Sequence, residues 1–238
     1  MAKPKFIELG ELQIPILYED RSVLALDKPA GWLLVPDDWH QTSRNLQAAI
    51  NASIAACEFW AHSRNLRFLR YIHRLDAETS GVLLCVKSPG AMAGYSQLFE
   101  SRQTEKVYLA VVHGEPRQRE WTSNQPLSPA PGVAGRMKVD ERDGKPAETH
   151  FRVLETKADR SLIEVHPLTG RTHQIRVHLV DAGHPVVGDP IYGPVGRFKD
   201  GPLALRAVAL GYTDPFTRRH VHITASAEDF LRTHGFNR

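Results

Sequence analysis

The sequence predicts a mixed α/β (α+β) protein with a largely antiparallel sheet. Segments rich in β-branched and aromatic residues outnumber the segments with helical spacing. The helical segments stand singly among them, and strands and helices do not alternate regularly along the 238 residues. A doubly wound nucleotide-binding fold requires regular alternation, so the pattern favours an antiparallel arrangement.

The predicted strands begin with a pair of short strands in residues 14–28, around the turn Glu19-Asp20-Arg21. This pair closes on the loop Lys28-Pro29-Ala30-Gly31, where proline and glycine end the second strand. A continuous apolar run over residues 81–87 indicates an interior strand. The remaining strand segments are residues 106–113, a hairpin formed by 149–154 and 161–165, and residues 203–210 and 220–224.

Four segments have helical features. Residues 43–58 carry Leu46, Ile50 and Ile54 at a spacing of four, with Ser43 as the expected N-cap. Ser88-Pro89 places a cap residue before a proline at the first helical position, which opens a second helix. The other two are a helix starting near Arg171 and Arg176 with the apolar stripe Ile175, Leu179 and Ala182, and a short last helix opened by Ser226 and ended by Gly235.

Bulk composition is that of a folded protein, with 42% hydrophobic and 24% charged residues. The N-terminus has no apolar signal region, and no stretch approaches the about 20 apolar residues of a membrane span. We therefore expect a cytoplasmic protein that has no membrane partner. The net charge of +3 is compatible with a nucleic-acid partner without requiring one. Four arginines in one acid-free stretch form either a solvated face or a track for phosphates: Arg64, Arg67, Arg70 and Arg74.

The sequence offers no motif for a metal or a cofactor. Among its twelve histidines, His173 and His178 are five residues apart, so they do not share a helix face as a zinc-binding pair does. Cys57 and Cys85 form no Cys-x-x-Cys pair, and phosphate-binding and dinucleotide fingerprints are missing. We therefore expect neither a metal nor a nucleotide cofactor.

One polar segment lies directly before the predicted interior strand, and it contains Asp76. It reads Tyr-Ile-His-Arg-Leu-Asp-Ala-Glu-Thr-Ser-Gly over residues 71–81. A loop presents an acid at the end of a strand, where the carboxylate can serve as a nucleophile or a base. The same Asp can equally cap the turn at Thr79-Ser80-Gly81, and the residues alone leave both interpretations open.

His73-Arg74-Leu75-Asp76 followed by Thr79-Ser80-Gly81 resembles the signature of the RluA-type pseudouridine synthases. Four more blocks resemble that family in the family's order, and the five together extend over residues 27–193. The four blocks are Asp27 to Gly31, Lys106 to Ala110 with Gly114, Gly170 to His178, and Gly188 to Gly193. Five blocks in order make the resemblance specific.

The resemblance implies one catalytic domain over residues 1–238, built on a bent, mainly antiparallel sheet flanked by helices, with a central catalytic cleft. We expect no small S4-type RNA-binding domain of the kind that many relatives carry, since the first predicted strand begins near Ile14. Recognition would then fall to the catalytic domain, through a long loop or hairpin in residues 116–145 and through a basic set: Arg197, Lys199, Arg218 and Arg219. Residues 116–145 can also be read as an interdomain linker.

The resemblance also implies roles for individual residues. Asp76 would be the catalytic carboxylate that attacks the ribose or the base, and Arg176 would keep it ionised. Tyr108 would stack on the target base and help to remove the C5 proton, although its pattern also fits an ordinary strand aromatic. Arg74 would hold the flipped-out nucleotide. Further contacts to RNA would come from His73, Arg171 and Lys28, while Arg171 and Arg176 also fit simple phosphate binding at a helix start.

The function implied is the isomerisation of particular uridines in rRNA or tRNA to pseudouridine, by a monomer without an obligate protein partner. The alternative from another class is a catalytically silent RNA-binding protein of the same fold. The joint presence of Asp76, Tyr108 and Arg176 argues against it, because a protein that only binds RNA has no need of the acid. A metal-dependent hydrolase is the weakest alternative, since the metal motifs are missing.

Overall fold

A computed structural model describes residues 3–34, 44–133, 135–194 and 201–236. Within these ranges the chain forms thirteen strands and five helices. The strands are β1 (Phe6–Leu9), β2 (Leu12–Glu19), β3 (Val23–Lys28), β4 (Arg70–Tyr71), β5 (Ser80–Val86), β6 (Thr104–His113), β7 (Glu120–Ser123), β8 (Leu127–Pro129), β9 (Met137–Val139), β10 (Thr149–Lys157), β11 (Arg160–Pro167), β12 (Leu205–Thr213) and β13 (His220–Thr224). The helices are α1 (Leu46–Ala55), α2 (Phe59–His62), α3 (Pro89–Glu100), α4 (Gln174–Asp181) and α5 (Glu228–Thr233).

The chain divides into two compact units, the first of which comprises Met1–Thr104 and Ala209–Ala225. In this unit β1 pairs with β2, β2 with β3 and β3 with β5, all antiparallel. The short strand β4 pairs with the other edge of β5. The apolar run Val82 to Val86 is entirely buried, as expected of an interior strand.

Helix α3 covers the core of the first unit. Its residues Ala91, Tyr95 and Leu98 are buried and pack with the apolar side chains of β3 and β5. Each large apolar side chain that is fully buried in this way contributes about 1.5–3 kcal/mol to folding. The Tyr95 hydroxyl donates to Asp214, which gives the buried phenol a partner.

The second unit comprises Glu105–Val208 and Ser226–Arg238. Its strands pair antiparallel in the order β6-β11-β10-β7, and β8 and β9 form a separate two-stranded hairpin. Residues 116–145 thus contain β7 and the β8-β9 hairpin. The main core lies between these strands and α4 and includes Val111, Ile163 and Leu179. A smaller apolar cluster forms under the hairpin from Leu127, Ala147, Val177 and Tyr192.

The mixed α+β class and the mainly antiparallel pairing predicted from the sequence are confirmed. Helix α1 begins after Asn45, whose side chain accepts a hydrogen bond from the Ala48 N–H at 3.0 Å. The cap expected from the sequence, Ser43, lies outside the described residues, as do Arg197 and Lys199. None of the described helices is long and apolar enough to cross a bilayer.

Candidate active site

The segment that carries Asp76 is a loop between β4 and β5 in the first unit. The Thr79 N–H donates to the Asp76 carbonyl at 3.1 Å, which closes a tight turn. The Gly31 N–H donates to the Ala77 carbonyl at 2.8 Å and ties the loop after β3 to this turn. Gly31 has a φ of +80°, a backbone conformation that favours glycine. Asp76 itself is partly exposed.

The ammonium group of Lys28 binds backbone carbonyls of the same loop. Its Nζ donates to the carbonyls of Ala77 and Thr79 at 2.9 Å each, and it lies 3.3 Å from the Asp76 carbonyl. A fourth carbonyl, that of Pro29, is 3.1 Å away. Because a buried ammonium needs acceptors for each of its protons, these carbonyls compensate for its loss of water.

Lys28 has no solvent-accessible surface, which corrects the expectation that it contacts RNA. Burial lowers the pKa of its ammonium to about 8, against the opposing fields of Glu78 and Asp76. With a pKa of about 8 the side chain is still mainly a cation at neutral pH. Lys28 is a positioning residue for the loop.

His73 fixes the start of the loop. Its Nε2 accepts a hydrogen bond from the Leu84 N–H in β5 at 3.0 Å. The ring stacks on Phe99 of α3, with centroids 4.7 Å apart and planes 12° from parallel. Besides the RNA contact that we expect of it, His73 thus has a structural role. Its imidazole accepts the Leu84 N–H in place of a carbonyl from a neighbouring strand.

The arginines near Asp76 do not form one basic face. Arg74, Arg67 and Arg70 are exposed, whereas the Arg64 side chain is only 3% exposed. Arg64 donates from Nε to Glu19 at 2.8 Å and from its other nitrogens to the carbonyls of Trp60 and Pro4. The interpretation of a solvated face or phosphate track therefore applies to three of the four arginines.

In the second unit, Gln174 organises the loop that leads into α4. Its Oε1 accepts from the Thr169 hydroxyl at 2.7 Å and from the Arg171 N–H at 3.0 Å. Its Nε2 donates to the Glu148 carbonyl and to the Thr149 hydroxyl at 3.0 and 2.9 Å. Arg171 lies before the helix, partly exposed, and its Nε donates to the Pro146 carbonyl at 3.1 Å.

Arg176 lies in the first turn of α4 and is completely buried. Its Nε and Nη2 donate to the two carboxylate oxygens of Asp189 at 2.8 and 2.7 Å. Oδ1 of Asp189 also accepts from the N–H groups of Ile191 and Tyr192. Burial alone would raise the pKa of Asp189, but Arg176 and these N–H groups outweigh it and hold the pKa below its ordinary value.

Sequence reasoning missed Asp189 and Tyr192, although both lie in the block Gly188 to Gly193. The Tyr192 ring lies 5.2 Å from the Arg176 guanidinium, and its hydroxyl accepts from the Met137 N–H at 2.8 Å. The tight turn requires Gly193, since a Cβ there would lie 2.4 Å from the Asp189 carbonyl oxygen. The sequence signal that could have identified both residues was this block, in which an acid and an aromatic residue lie between two glycines.

Tyr108 lies in β6, opposite Val165 of β11, with its side chain partly buried against the core of the second unit. The predicted site residues therefore fall into two sets. The first unit carries Lys28, His73, Arg74 and Asp76, and the second carries Tyr108, Arg171 and Arg176. Within the described residues, no group of three His, Cys, Asp or Glu side chains could hold a metal ion.

Replacing Lys28 with methionine should loosen the Asp76 loop, because the stem is kept while buried carbonyls lose their donor. We expect the free energy of unfolding to fall by roughly 1–3 kcal/mol. Amide hydrogen exchange at Gly31 and Thr79 should become faster. Lys87→Met is the matched control, since its Nζ binds Glu19 and the Asp20 carbonyl at the other end of β5. Equal exchange in both variants would contradict the role of Lys28.

The Arg176–Asp189 pair should make stability depend on acid pH. The pKa of Asp189 is below its ordinary value of 3.8 in the folded chain. The contribution is therefore complete above that value and is lost as the pH falls through the folded-state pKa. Asp189→Asn should reduce the free energy of unfolding at neutral pH by roughly 3–5 kcal/mol. It should also flatten the acid limb of stability measured by urea unfolding, and an unchanged limb would contradict the assignment.

Known proteins resemble the chain over most of its length. A sequence model of the family described as RNA pseudouridylate synthase matches residues 22–181. The RNA pseudouridine synthase YlyB of Bacillus subtilis is 35% identical over 90% of this chain and 69% of its own length. Ribosomal large subunit pseudouridine synthase C of Escherichia coli O157:H7 is 35% identical over 96% of this chain and 71% of its own length. An RNA pseudouridine synthase of Synechocystis is 33% identical, and this chain spans 58% of its length.

Solved structures agree with the sequence match. Human RNA pseudouridylate synthase domain containing 1 superposes with a TM-score of 0.72 at 27% identity, over 90% of this chain and 83% of the other. Human RNA pseudouridylate synthase domain containing 4 shares the fold, with a TM-score of 0.75 at 22% identity. Together with the family match over residues 22–181, these relatives identify the chain as a member of the RNA pseudouridylate synthase family, an RluA-type isomerase that acts on RNA.

Proposed function

We propose that this chain converts particular uridines of ribosomal RNA into pseudouridine, with Asp76 as the nucleophile. The observation that carries the proposal is the Asp76 loop. Its backbone is held by the buried Lys28 ammonium, by the Gly31 N–H and by its own turn, while Asp76 itself is partly exposed. A fixed backbone at a partly exposed acid is what a positioned nucleophile needs.

The reaction rearranges bonds within one nucleotide. The bond from C1′ of the ribose to N1 of uracil breaks, the base rotates, and a bond from C1′ to C5 forms. The proton leaves C5 and N1 gains one, so atoms and electrons balance without an oxidant, a reductant or a second substrate. A carboxylate that attacks the nucleotide and leaves again is sufficient, and no cofactor is required by this chemistry.

Arg176 and Tyr108 take part in the same proposal. The Arg176 guanidinium would keep the Asp76 carboxylate ionised, because an opposite charge nearby favours the charged form. The Asp189 carboxylate accepts from Nε and Nη2 of this guanidinium, which fixes the orientation of its plane. Tyr108 would stack on the flipped-out base and accept the C5 proton through its hydroxyl.

The substrate we propose is the RNA of the large ribosomal subunit. Relatives that are 32–35% identical to this chain over 93–96% of its length carry the name ribosomal large subunit pseudouridine synthase C. We further propose that the protein acts in the cytoplasm as a monomer on a stem-loop. Total RNA from cells that lack the protein provides the test, since modification of tRNA alone would overturn the choice of ribosomal RNA.

Asp76→Asn should abolish isomerisation, with a loss of at least about four orders of magnitude, because the amide keeps the shape but has no nucleophilic charge. Tritium release from C5-labelled uridine in the RNA measures the rate. Glu78→Gln is the matched control, since it removes a carboxylate two residues away in the same loop and should stay close to the wild-type rate. Substantial turnover by the Asp76 variant would remove this residue from the mechanism.

Arg74→Ala should lower the single-turnover rate at saturating RNA by about tenfold or more, because we assign its exposed guanidinium to the extruded nucleotide. Arg70→Ala is the matched control, an exposed arginine four residues away. It should leave the saturated rate unchanged and weaken binding only, with about 0.7 less slope of log affinity against log salt if it neutralises one phosphate. If Arg74→Ala, like Arg70→Ala, weakens binding and leaves the saturated rate unchanged, Arg74 is an ordinary phosphate contact.

A further inference from the structure

Tyr192 contacts the Arg176 guanidinium, its partner Asp189, and His173 at the start of α4. Its backbone N–H donates to Oδ1 of Asp189 at 3.0 Å, beside the bond from Arg176 to the same oxygen. Its ring lies 5.2 Å from the guanidinium. Its hydroxyl shares a hydrogen bond of 2.9 Å with Nδ1 of His173, the residue that precedes α4. One residue thus holds the counter-ion, the cation and the start of the helix.

The same hydroxyl reaches the β8-β9 hairpin. It accepts the Met137 N–H of β9 at 2.8 Å, and the Arg136 guanidinium of the hairpin lies 5.5 Å from the ring. Tyr192 is 8% exposed and belongs to the small apolar cluster under the hairpin. Tyr192 therefore links the hairpin to Arg176. Arg136 and Lys138 of the hairpin are exposed.

Further hydrogen bonds join α4 to the segment that leads into the hairpin. The His178 ring of α4 lies 2.9 Å from the Thr149 hydroxyl and 2.9 Å from the Gln125 carbonyl, which precedes β8. His173 has a positive φ of 53°, a conformation that a residue other than glycine adopts at a cost. The ring of His173 shares a hydrogen bond with the Tyr192 hydroxyl. A displaced hairpin would therefore pull on the first turn of α4, where Arg176 lies.

We propose that Tyr192 is a positioning residue that couples the β8-β9 hairpin to Arg176, so that RNA seated on the hairpin fixes the guanidinium for catalysis. The catalytic part rests on the function proposed above. The coupling between the hairpin and Arg176 does not rest on that function, because the contacts of Tyr192 exist without RNA. Energy from binding at a remote part of a substrate is then used to orient a group at the reacting centre.

The first experiment observes Arg176 directly in the full chain without RNA. The Nε–H of a buried, ion-paired arginine exchanges slowly with water, and its exchange is measurable by NMR. Tyr192→Phe keeps the ring and the backbone N–H but loses both bonds of the hydroxyl. We expect the Nε–H exchange of Arg176 to become roughly tenfold faster, and the amide exchange of Met137 likewise.

Tyr18→Phe is the matched control, because it also loses one tyrosine hydroxyl, which donates to Asp20 at 3.1 Å in the first unit. It should leave Arg176 and Met137 unchanged. If Tyr192→Phe also leaves the Arg176 exchange at the wild-type value, the proposed coupling is overturned, whatever the protein does to RNA.

The second experiment measures single-turnover isomerisation of ribosomal RNA from cells that lack the protein. Tyr192→Phe should reduce the rate at saturating RNA by roughly five- to tenfold with little change in affinity. Tyr18→Phe, the matched control of the first experiment, should keep the wild-type saturated rate. A Tyr192 variant with a lower melting temperature but a wild-type saturated rate would show a merely structural role and overturn the proposal.

The two experiments separate this inference from the proposed function. If wild-type protein isomerises no uridine in any RNA, the proposed function fails, and the exchange of Arg176 still decides the coupling. If wild type and Tyr18→Phe are active while Tyr192→Phe is equally active, the function stands and the coupling to catalysis fails.

Discussion

The buried ammonium of Lys28 is the interaction on which the geometry of the Asp76 loop depends. A lysine in a water-free site is stable only where acceptors replace its hydration, and four carbonyls surround this one within 3.3 Å. Three of those carbonyls belong to the segment from Asp76 to Thr79. The buried charge at the end of β3 thus holds the loop before β5, because these carbonyls replace the water that the ammonium loses.

The second unit also contains a buried cation. Here the candidate residue Arg176 is itself the buried cation, and Asp189, on a glycine-bounded turn, is its partner. A buried ion pair adds little net stability, because its attraction is largely offset by desolvation. It does add specificity of geometry, since a displaced partner would leave an uncompensated charge. We therefore interpret both buried cations as devices for position rather than for stability.

The sequence predicts the elements better than it predicts these partnerships. Periodicity located the interior strand at residues 81–87 and the helix after Ser88, because burial of an apolar face follows from local pattern. Pattern could not assign Lys28, since a lysine is usually exposed and its burial depends on a loop 48 residues away. For the same reason Arg64, which reads as part of a basic face, is committed to Glu19. Asp189 and Tyr192 were invisible as partners of Arg176 because only the fold brings residues 13 and 16 positions apart onto one side chain.

These observations are consistent with what the proposed reaction demands. Isomerisation within one nucleotide has no redox step and no second substrate, so the protein contributes mainly position and electrostatics. Buried charges held by several partners contribute to both, because little reorganisation is then needed during the reaction. Selection among uridines must then come from residues outside these networks. The exposed positions on the β8-β9 hairpin and at Arg74 are suited to that task, since substitutions there change contacts to RNA without unburying a charge. Specificity for one RNA site can in this way change while the Lys28 and Arg176 networks stay the same.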